Sequence, residues 1–169
     1  SIGSIKVKPS HCARNLGVYF DSSLSFKPFV QKTAATATYH IRSLVAIRDH
    51  LPRDLVRRLC TSLVISRLDY CNAVLTGLPK SSLRPLQLAL NMAARLIYKA
   101  KRSCHVSPLL KELHWLPIEK RIEEKILTIT FKARNAFAPS YLTELLRDFI
   151  PVRTLRSSDF PTLAVPSFK

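Results

Sequence analysis

The spacing of apolar residues along the chain changes once, close to residue 26. Before that point apolar side chains alternate with polar or small ones in two short runs, which are interrupted at residues 9–10. The alternating residues are Ile5, Val7, Leu16, Val18 and Phe20. A period of two residues is typical of strands that bury one face. Residues 1–26 are therefore predicted to form a β-hairpin.

From residue 27 onward apolar residues recur at intervals of three and four, which is the period of an amphipathic helix. The predicted helices cover residues 28–50, 52–77, 81–99, 106–113, 118–135 and 139–149. Prolines mark most of the breaks, because proline has no backbone N–H and is tolerated only in a first helical turn. Ser81 or Ser82 is expected to cap the third helix. The predicted fold class is mainly α: a short N-terminal β-hairpin, a multi-helix bundle and an extended tail over residues 151–169.

Composition narrows the class of protein further. The chain has 169 residues, 47% of them hydrophobic, so it can bury a core, and this composition disfavours wholesale disorder. Only 3 glycines occur, which disfavours hairpin-rich folds and glycine loops that bind phosphate. No apolar run approaches the roughly 18 residues of a membrane span, and the start lacks the apolar stretch of a signal peptide. From these two features we expect an intracellular chain, and because the first residue is not Met we expect it to be a segment of a longer protein.

Charge is the feature that points to a partner. The chain carries 27 Lys+Arg against 11 Asp+Glu, a net charge of +16. Such a surplus predicts a polyanionic partner, with nucleic acid first, an anionic membrane second and a basic surface kept for solubility as the plain alternative. Several basic residues stand in rows on the predicted helices and can follow a phosphate backbone. These candidates are Arg53, Arg57, Arg58, Arg67, Arg95, Lys99, Lys101, Arg102, Lys120, Arg121 and Lys125.

The residues of a catalytic site are not grouped in this sequence. Two-metal polymerases need clustered carboxylates, whereas Asp21, Asp49, Asp54 and Asp69 are scattered along the chain. Asp69 falls within a predicted helix and is expected to be structural. The 4 cysteines lack the paired spacing of zinc sites and are expected to be buried free thiols. No catalytic residue, metal or cofactor is therefore predicted for this chain.

Many segments resemble one family in both sequence and order. They include NLGVYFD at residues 15–21 and SRLDYCNAVLTGLP at residues 66–79. The further segments are residues 24–26, 86–87, 93–96, 113–118, 126–127, 131–133, 138–142 and 156–158. Together they resemble the region downstream of the polymerase centre in non-LTR (LINE-type) retrotransposon reverse transcriptases. The resemblance spans nearly the whole chain.

The resemblance implies that the segments of this chain correspond to different domains of a larger enzyme. Residues 1–26, with Leu16 and Gly17, are similar to the hairpin that ends the palm and supports the primer terminus. Residues 27–80 are similar to the thumb, and residues 81–150 to a helical C-terminal extension. The implied partners are a template–primer duplex of RNA and DNA, bound without regard to sequence, and the missing palm and fingers. Mg²⁺ is expected only in that missing palm, and the implied location is the nucleus and cytoplasm.

Two functions of different classes follow. The first is a non-catalytic fragment of an RNA-directed DNA polymerase that grips template–primer through basic helices. The second is a structural or protein-interaction helical module derived from a decayed or reused element. A third, less favoured function is membrane association through basic amphipathic helices. It is less favoured because the apolar faces of the predicted helices consist mainly of residues typical of a protein core.

Overall fold

The computed structural model describes residues 10–150 and 162–165. The predicted strand at Ile5 and Val7, most of the predicted tail and the resembling segment 156–158 lie outside those residues. The chain divides into two compact units, residues 1–123 and 124–169. Within the described residues the fold is mainly α, with one hairpin near the N-terminus, and this confirms the predicted fold class.

The hairpin pairs β1 (Cys12–Asn15) with β2 (Val18–Asp21) in an antiparallel register, with Asn15 opposite Val18. Its turn consists of Leu16 and Gly17, whose φ angles are 46° and 86°. Two successive positive φ angles are the signature of the two-residue turn that matches the twist of a hairpin. The prediction that Leu16 begins the second strand is therefore wrong. Every residue of β1 is exposed, so no alternation of apolar residues indicated it.

The first long helix, α1 (Lys27–Ile47), begins directly after the hairpin and continues into a short 3-10 helix, Arg48–His50. The Asp21 carboxylate accepts hydrogen bonds from the backbone N–H of Phe26 at 2.8 Å and of Ser25 at 3.0 Å. The Ser23 hydroxyl has the largest effect on the pKa of Asp21. Together with these N–H groups, it holds that pKa well below its usual range. Asp21 thus joins the end of the hairpin to the start of α1.

The second predicted helix forms three consecutive helical pieces. These are α2 (Arg53–Cys60), one wide π-helical turn (Thr61–Ile65) and α3 (Ser66–Asp69). A π turn accommodates an extra residue and rotates the helix faces that follow it. The buried residues are Val56, Cys60, Val64, Ile65 and Leu68. Helical spacing in the sequence predicts one apolar stripe through Val56, Leu59, Leu63 and Tyr70, but Tyr70 is exposed.

The core lies around α4 (Lys80–Tyr98), which packs against α1 and is followed by α5 (Ser107–Glu112). Leu86, Leu90 and Ile97 of α4 are at most 1% exposed. Pro79 occupies the N-cap position without a side-chain hydrogen bond, so the prediction that Ser81 or Ser82 caps this helix is wrong. Both serines lie in its first turn.

The last helices are α6 (Ile118–Arg134), which runs from the first unit into the second, and α7 (Ser140–Thr143). The helix α7 is shorter than the predicted helix over residues 139–149. In the second unit the Thr143 hydroxyl donates to the Ala133 carbonyl at 3.1 Å, and Asp148 forms an isolated bridge with Leu163. In the part of the chain that the structure describes, no helix is both long enough and apolar enough to cross a bilayer.

Candidate nucleic-acid interface

A cleft of about 640 Å³ lies between the hairpin, the first half of α1 and the run from α2 to α3. We call it the hairpin groove. The described residues that line it include three cations, Arg14, Lys32 and Arg67, and no carboxylate. The remaining lining residues are Leu16, Gly17, Tyr19, Phe29, Thr33, Thr36, Ser62, Ser66 and Tyr70. The groove therefore combines positive charge with hydroxyl groups and two tyrosine rings.

Tyr70 joins the turn of the hairpin to the end of α3. Its hydroxyl donates a hydrogen bond to the Leu16 carbonyl at 2.5 Å. A Cβ atom on Gly17 would lie 3.3 Å from Cε1 of Tyr70, so glycine permits this close approach. The two most extensive segments of the family resemblance, residues 15–21 and 66–79, thus meet at this contact.

The three cations of the hairpin groove are available to a ligand. The Arg14 guanidinium lies 5.7 Å from the centre of the Tyr19 ring. Among the described residues, none of the ion pairs involves Arg14, Lys32 or Arg67. All three are exposed. Their charge is therefore not neutralised within the described fold.

A row of polar residues leads from α2 into the groove. The Ser62 hydroxyl donates to the Arg58 carbonyl at 2.9 Å, and the Ser66 hydroxyl donates to the Ser62 carbonyl. These hydrogen bonds run through the π-helical turn and connect the end of α2 to the two serines of the groove. Arg57, the other candidate cation of this turn, is also exposed. Arg58 is exposed but does not itself line the hairpin groove.

Three predicted binding residues take part in ion pairs at the surface. Arg53 contacts Glu112 at 2.6 Å and lies 4.0 Å from the Tyr98 ring centre. Lys99 contacts Asp49 at 2.5 Å, and Lys120 contacts Glu123 at 2.7 Å. Exposed pairs of this kind are worth little, typically below about 1 kcal/mol. A phosphate can therefore compete for these three cations.

Arg121 has a structural role. Its guanidinium contacts the Asp69 carboxylate at 2.7 Å and donates to the Leu116 carbonyl at 2.9 Å. Only 13% of the Arg121 side chain is exposed. This arrangement withdraws Arg121 from a phosphate ligand, and it gives Asp69 the structural position expected from the sequence.

The remaining predicted binding residues lie elsewhere. Arg95, Lys99 and Arg102 line a second cleft of about 760 Å³ between α1 and α4, which we call the α1–α4 groove. Lys101 is exposed in the segment after α4, and Lys125 is exposed in the second unit. Arg53 and Arg57 line a third, smaller cleft of about 400 Å³ together with Asp54 and Glu112, so the candidates in clefts form three groups. Leu16, Gly17 and Arg67 belong to the hairpin groove.

Sequence reasoning missed two of the three cations in the hairpin groove. Arg14 lies in the exposed strand β1 and reaches the groove only because the chain turns at Leu16 and Gly17. Lys32 stands alone on α1, without a neighbouring row of basic residues. Its only signal was the accompanying pair of threonines, Thr33 and Thr36, on a helix with no acidic residue.

The cysteines differ from expectation. All four are free, but only Cys60 is buried, and burial raises the pKa of its thiol to about 11. Cys12, Cys71 and Cys104 are exposed, so the prediction of buried thiols is wrong for them. In the described ranges, no three His, Cys, Asp or Glu side chains are grouped closely enough to hold a metal ion.

The geometry of the hairpin groove is that of a cationic cleft without acidic side chains, which suits a phosphate-bearing ligand. Comparison with known proteins adds no relative to this picture. No protein-family model, no curated protein and no solved structure matches the chain. The likeness to non-LTR reverse transcriptases is therefore carried by the sequence segments named above.

Proposed function

We propose that this chain is a non-catalytic part of a reverse transcriptase that grips template–primer nucleic acid, and that the hairpin groove binds the phosphate backbone. One observation carries the proposal: three cations that take part in none of the described ion pairs converge on a cleft whose described lining contains no carboxylate. The turn at Leu16 and Gly17, which resembles a primer grip, forms one wall of the same cleft. The parent enzyme acts in the nucleus and cytoplasm, as the resemblance implies.

The lining suits contact with a nucleic-acid backbone. Arg14 and Arg67 can each offer two parallel N–H donors to a phosphate, and Lys32 offers a point charge. The hydroxyls of Ser62 and Ser66 donate to backbone carbonyls, so their oxygens are left to accept a hydrogen bond. A ribose 2′-hydroxyl can supply that hydrogen bond. Such contacts hold a duplex without reading its sequence.

The test is a salt titration with a labelled RNA–DNA primer–template, followed by fluorescence anisotropy. If about six phosphates are contacted, affinity falls roughly a thousandfold between 50 and 200 mM salt. Combining Arg14→Ala, Lys32→Ala and Arg67→Ala lowers the slope of log affinity against log salt by about 2 to 3, since each lost phosphate contact removes about 0.9.

The matched control combines Arg42→Ala, Arg84→Ala and Lys111→Ala, which removes the same net charge at positions outside the hairpin groove. We expect the control protein to keep most of its salt slope. An equal loss in both proteins means that only net charge attracts the nucleic acid, and the groove has no special role. A salt slope near zero in the unaltered protein excludes the gripping function altogether. A stoichiometric protein partner that survives nuclease treatment then favours the interaction-module alternative.

A further inference from the structure

The α1–α4 groove has an apolar floor. Five aliphatic side chains line it, Ile41 and Val45 from α1 and Leu88, Met92 and Leu96 from α4. Val45 is 56% exposed and Leu88 is 52% exposed, so the floor is open to a ligand. Apolar side chains grouped in an open cleft typically mark a binding surface.

The edges of this groove are cationic. Arg42, Arg95, Lys99 and Arg102 line it together with Arg48, whereas Asp49 is the sole acidic residue among the described lining residues. Arg48 is already engaged, because its Nε and Nη2 donate to the carbonyls of Leu96 and Ile97 at the end of α4. Arg95 donates to the Cys104 carbonyl at 3.1 Å and Lys99 contacts Asp49, whereas Arg42 and Arg102 are exposed. A partner must therefore satisfy both an aliphatic floor and a positive rim.

We infer that the α1–α4 groove docks an acidic amphipathic helix of a partner protein. Leu88, Met92 and Leu96 follow one another at intervals of four residues, so they present one aliphatic side chain per turn over about 12 Å. A docked helix offers apolar anchors at the same intervals, usually at positions i, i+3 or i+4, and i+7. Glutamates flanking those anchors meet the exposed cations of the rim, Arg42 and Arg102.

The lining favours a protein helix over nucleic acid. Among the described residues, no aromatic side chain lines this groove, and single-stranded nucleic acid needs such rings for base stacking. A phosphate backbone leaves the aliphatic floor unburied. Met92 is the only methionine of the chain, and its flexible thioether adapts to the shape of a docked side chain.

Asp49 occupies the place that a partner carboxylate takes. Its carboxylate contacts Lys99 at 2.5 Å, and this hydrogen bond, followed by the charge of Lys99, lowers the pKa of Asp49. A bound glutamate competes with Asp49 for Lys99. Asp49→Asn therefore strengthens binding of an acidic helix, by about threefold if the exposed pair has the usual strength.

The experiment uses the full chain and a fluorescein-labelled synthetic peptide of about 18 residues, or five helical turns. Its leucines are spaced three and four residues apart and are flanked by glutamates. We expect saturable binding in fluorescence anisotropy. Two control peptides test the apolar anchors and the charge. One has the same composition with its leucines distributed around the helix, and the other has lysine in place of glutamate. Both should bind at least about tenfold more weakly, because each loses at least one buried anchor or ion contact.

Variants locate the binding surface. Val45→Glu and Leu88→Glu alter exposed positions, so the fold tolerates them, and together they weaken binding of the acidic peptide by about tenfold or more. Arg84→Glu, on the same helix but outside the groove, is the matched control and leaves binding unchanged. Absence of peptide binding, equal binding of the rearranged peptide, or equal loss in the control overturns the inference. A competition experiment adds a further check. If a primer–template displaces the peptide, and the same primer–template binds the Val45→Glu, Leu88→Glu protein with unchanged affinity, the peptide binds at the nucleic-acid site and the inference is overturned.

Discussion

The hairpin groove and the α1–α4 groove share one helix and differ in what lies between their cations. The first half of α1 contributes Lys32, Thr33 and Thr36 to the hairpin groove, and the second half contributes Ile41 and Val45 to the other. Hydroxyl groups separate the cations of the first groove, and aliphatic side chains separate those of the second. The net charge of +16 therefore does not define a single partner. The residues between the charges distinguish a phosphate backbone from an acidic helix.

The two grooves also differ in what holds them together. The hairpin is joined to the helices by polar contacts, those of Asp21 with the start of α1 and of Tyr70 with the Leu16 carbonyl, in addition to the buried side chains of Val18 and Phe29. The α1–α4 groove is formed by two long helices that pack through their buried faces. We expect local polar substitutions to affect the first groove selectively, and core substitutions to affect both.

The largest effect is expected from Leu90→Ala. Leu90 is fully buried in α4, and removing its side chain leaves a cavity that costs about 3 kcal/mol of unfolding free energy. Urea denaturation measures the loss. Because this core supports both grooves, primer–template and peptide binding should both disappear at lower urea concentrations than in the unaltered protein.

Leu88→Ala is the matched control for Leu90→Ala, since the same side chain is removed from the same helix at a position that is 52% exposed. Its unfolding free energy should fall by less than about 1 kcal/mol. Only peptide binding should weaken. If both variants lose equal stability, α4 is not the centre of the core.

Arg121→Ala should have the next largest effect. It leaves the partly buried Asp69 carboxylate without its cation, and we expect a loss of about 2 kcal/mol, below the value for a fully buried pair because a third of Asp69 is exposed. Asp69 precedes Tyr70, so the hairpin groove should weaken while peptide binding persists. Lys120→Ala breaks an exposed pair and should cost less than about 0.5 kcal/mol. If urea denaturation shows that Arg121→Ala and Lys120→Ala lower the unfolding free energy equally, Arg121 does not have the structural role inferred for it.

The long helices were predictable because their signals are local. The period of apolar residues and the positions of Pro52, Pro79 and Pro117 indicated α1, α4 and α6 to within a few residues. The contents of the two grooves were not predictable, because they depend on which surfaces meet after folding. Arg14 joins the hairpin groove through a turn, and Arg121 leaves the set of phosphate ligands through a contact with Asp69, 52 positions away.

The predicted apolar stripe through Val56, Leu59, Leu63 and Tyr70 differs from the structure. Val56 is buried, but Leu59 and Leu63 are only half-buried and Tyr70 is exposed. Tyr70 follows the last residue of α3 with an extended backbone, and its hydroxyl contacts the hairpin from outside the helix. The buried stripe instead runs through Val56, Cys60, Val64 and Leu68, across the π-helical turn at Thr61–Ile65, which regular helical spacing did not predict.

Gly17→Ala and Gly77→Ala form a matched pair that isolates the contact with Tyr70. Both glycines have positive φ angles, 86° and 79°, so both substitutions incur about 1 kcal/mol of backbone strain. Only at Gly17 does the new Cβ also press on Tyr70, at 3.3 Å; at Gly77 no atom lies within 4 Å. Gly17→Ala should therefore destabilise more, by roughly 1.5 kcal/mol in total. It should also weaken primer–template binding, which Gly77→Ala should not.

The smallest expected effect concerns two carboxylates, one at the junction of the hairpin with α1 and one in the α1–α4 groove. Asp21, at the end of the hairpin, has a pKa lowered by the Ser23 hydroxyl and by backbone N–H groups, which are neutral donors. Asp49, in the α1–α4 groove, has a pKa lowered by Lys99, which is a charged donor. Both folded-state pKa values lie below the ordinary value of about 3.9, so both groups stabilise the fold above that pH and lose this contribution as pH falls below it.

Salt should distinguish the two carboxylates, because at 1 M the screening length is only about 3 Å and exposed ion pairs weaken. In an NMR titration of the side-chain carboxyl groups, added salt should raise the pKa of Asp49 and leave that of Asp21 nearly unchanged. Lys99→Ala should raise only the pKa of Asp49, and Ser23→Ala only that of Asp21. If salt moves both pKa values equally, charge governs both sites, and the distinction between a junction held by neutral polar contacts and a groove rimmed by ion pairs is lost.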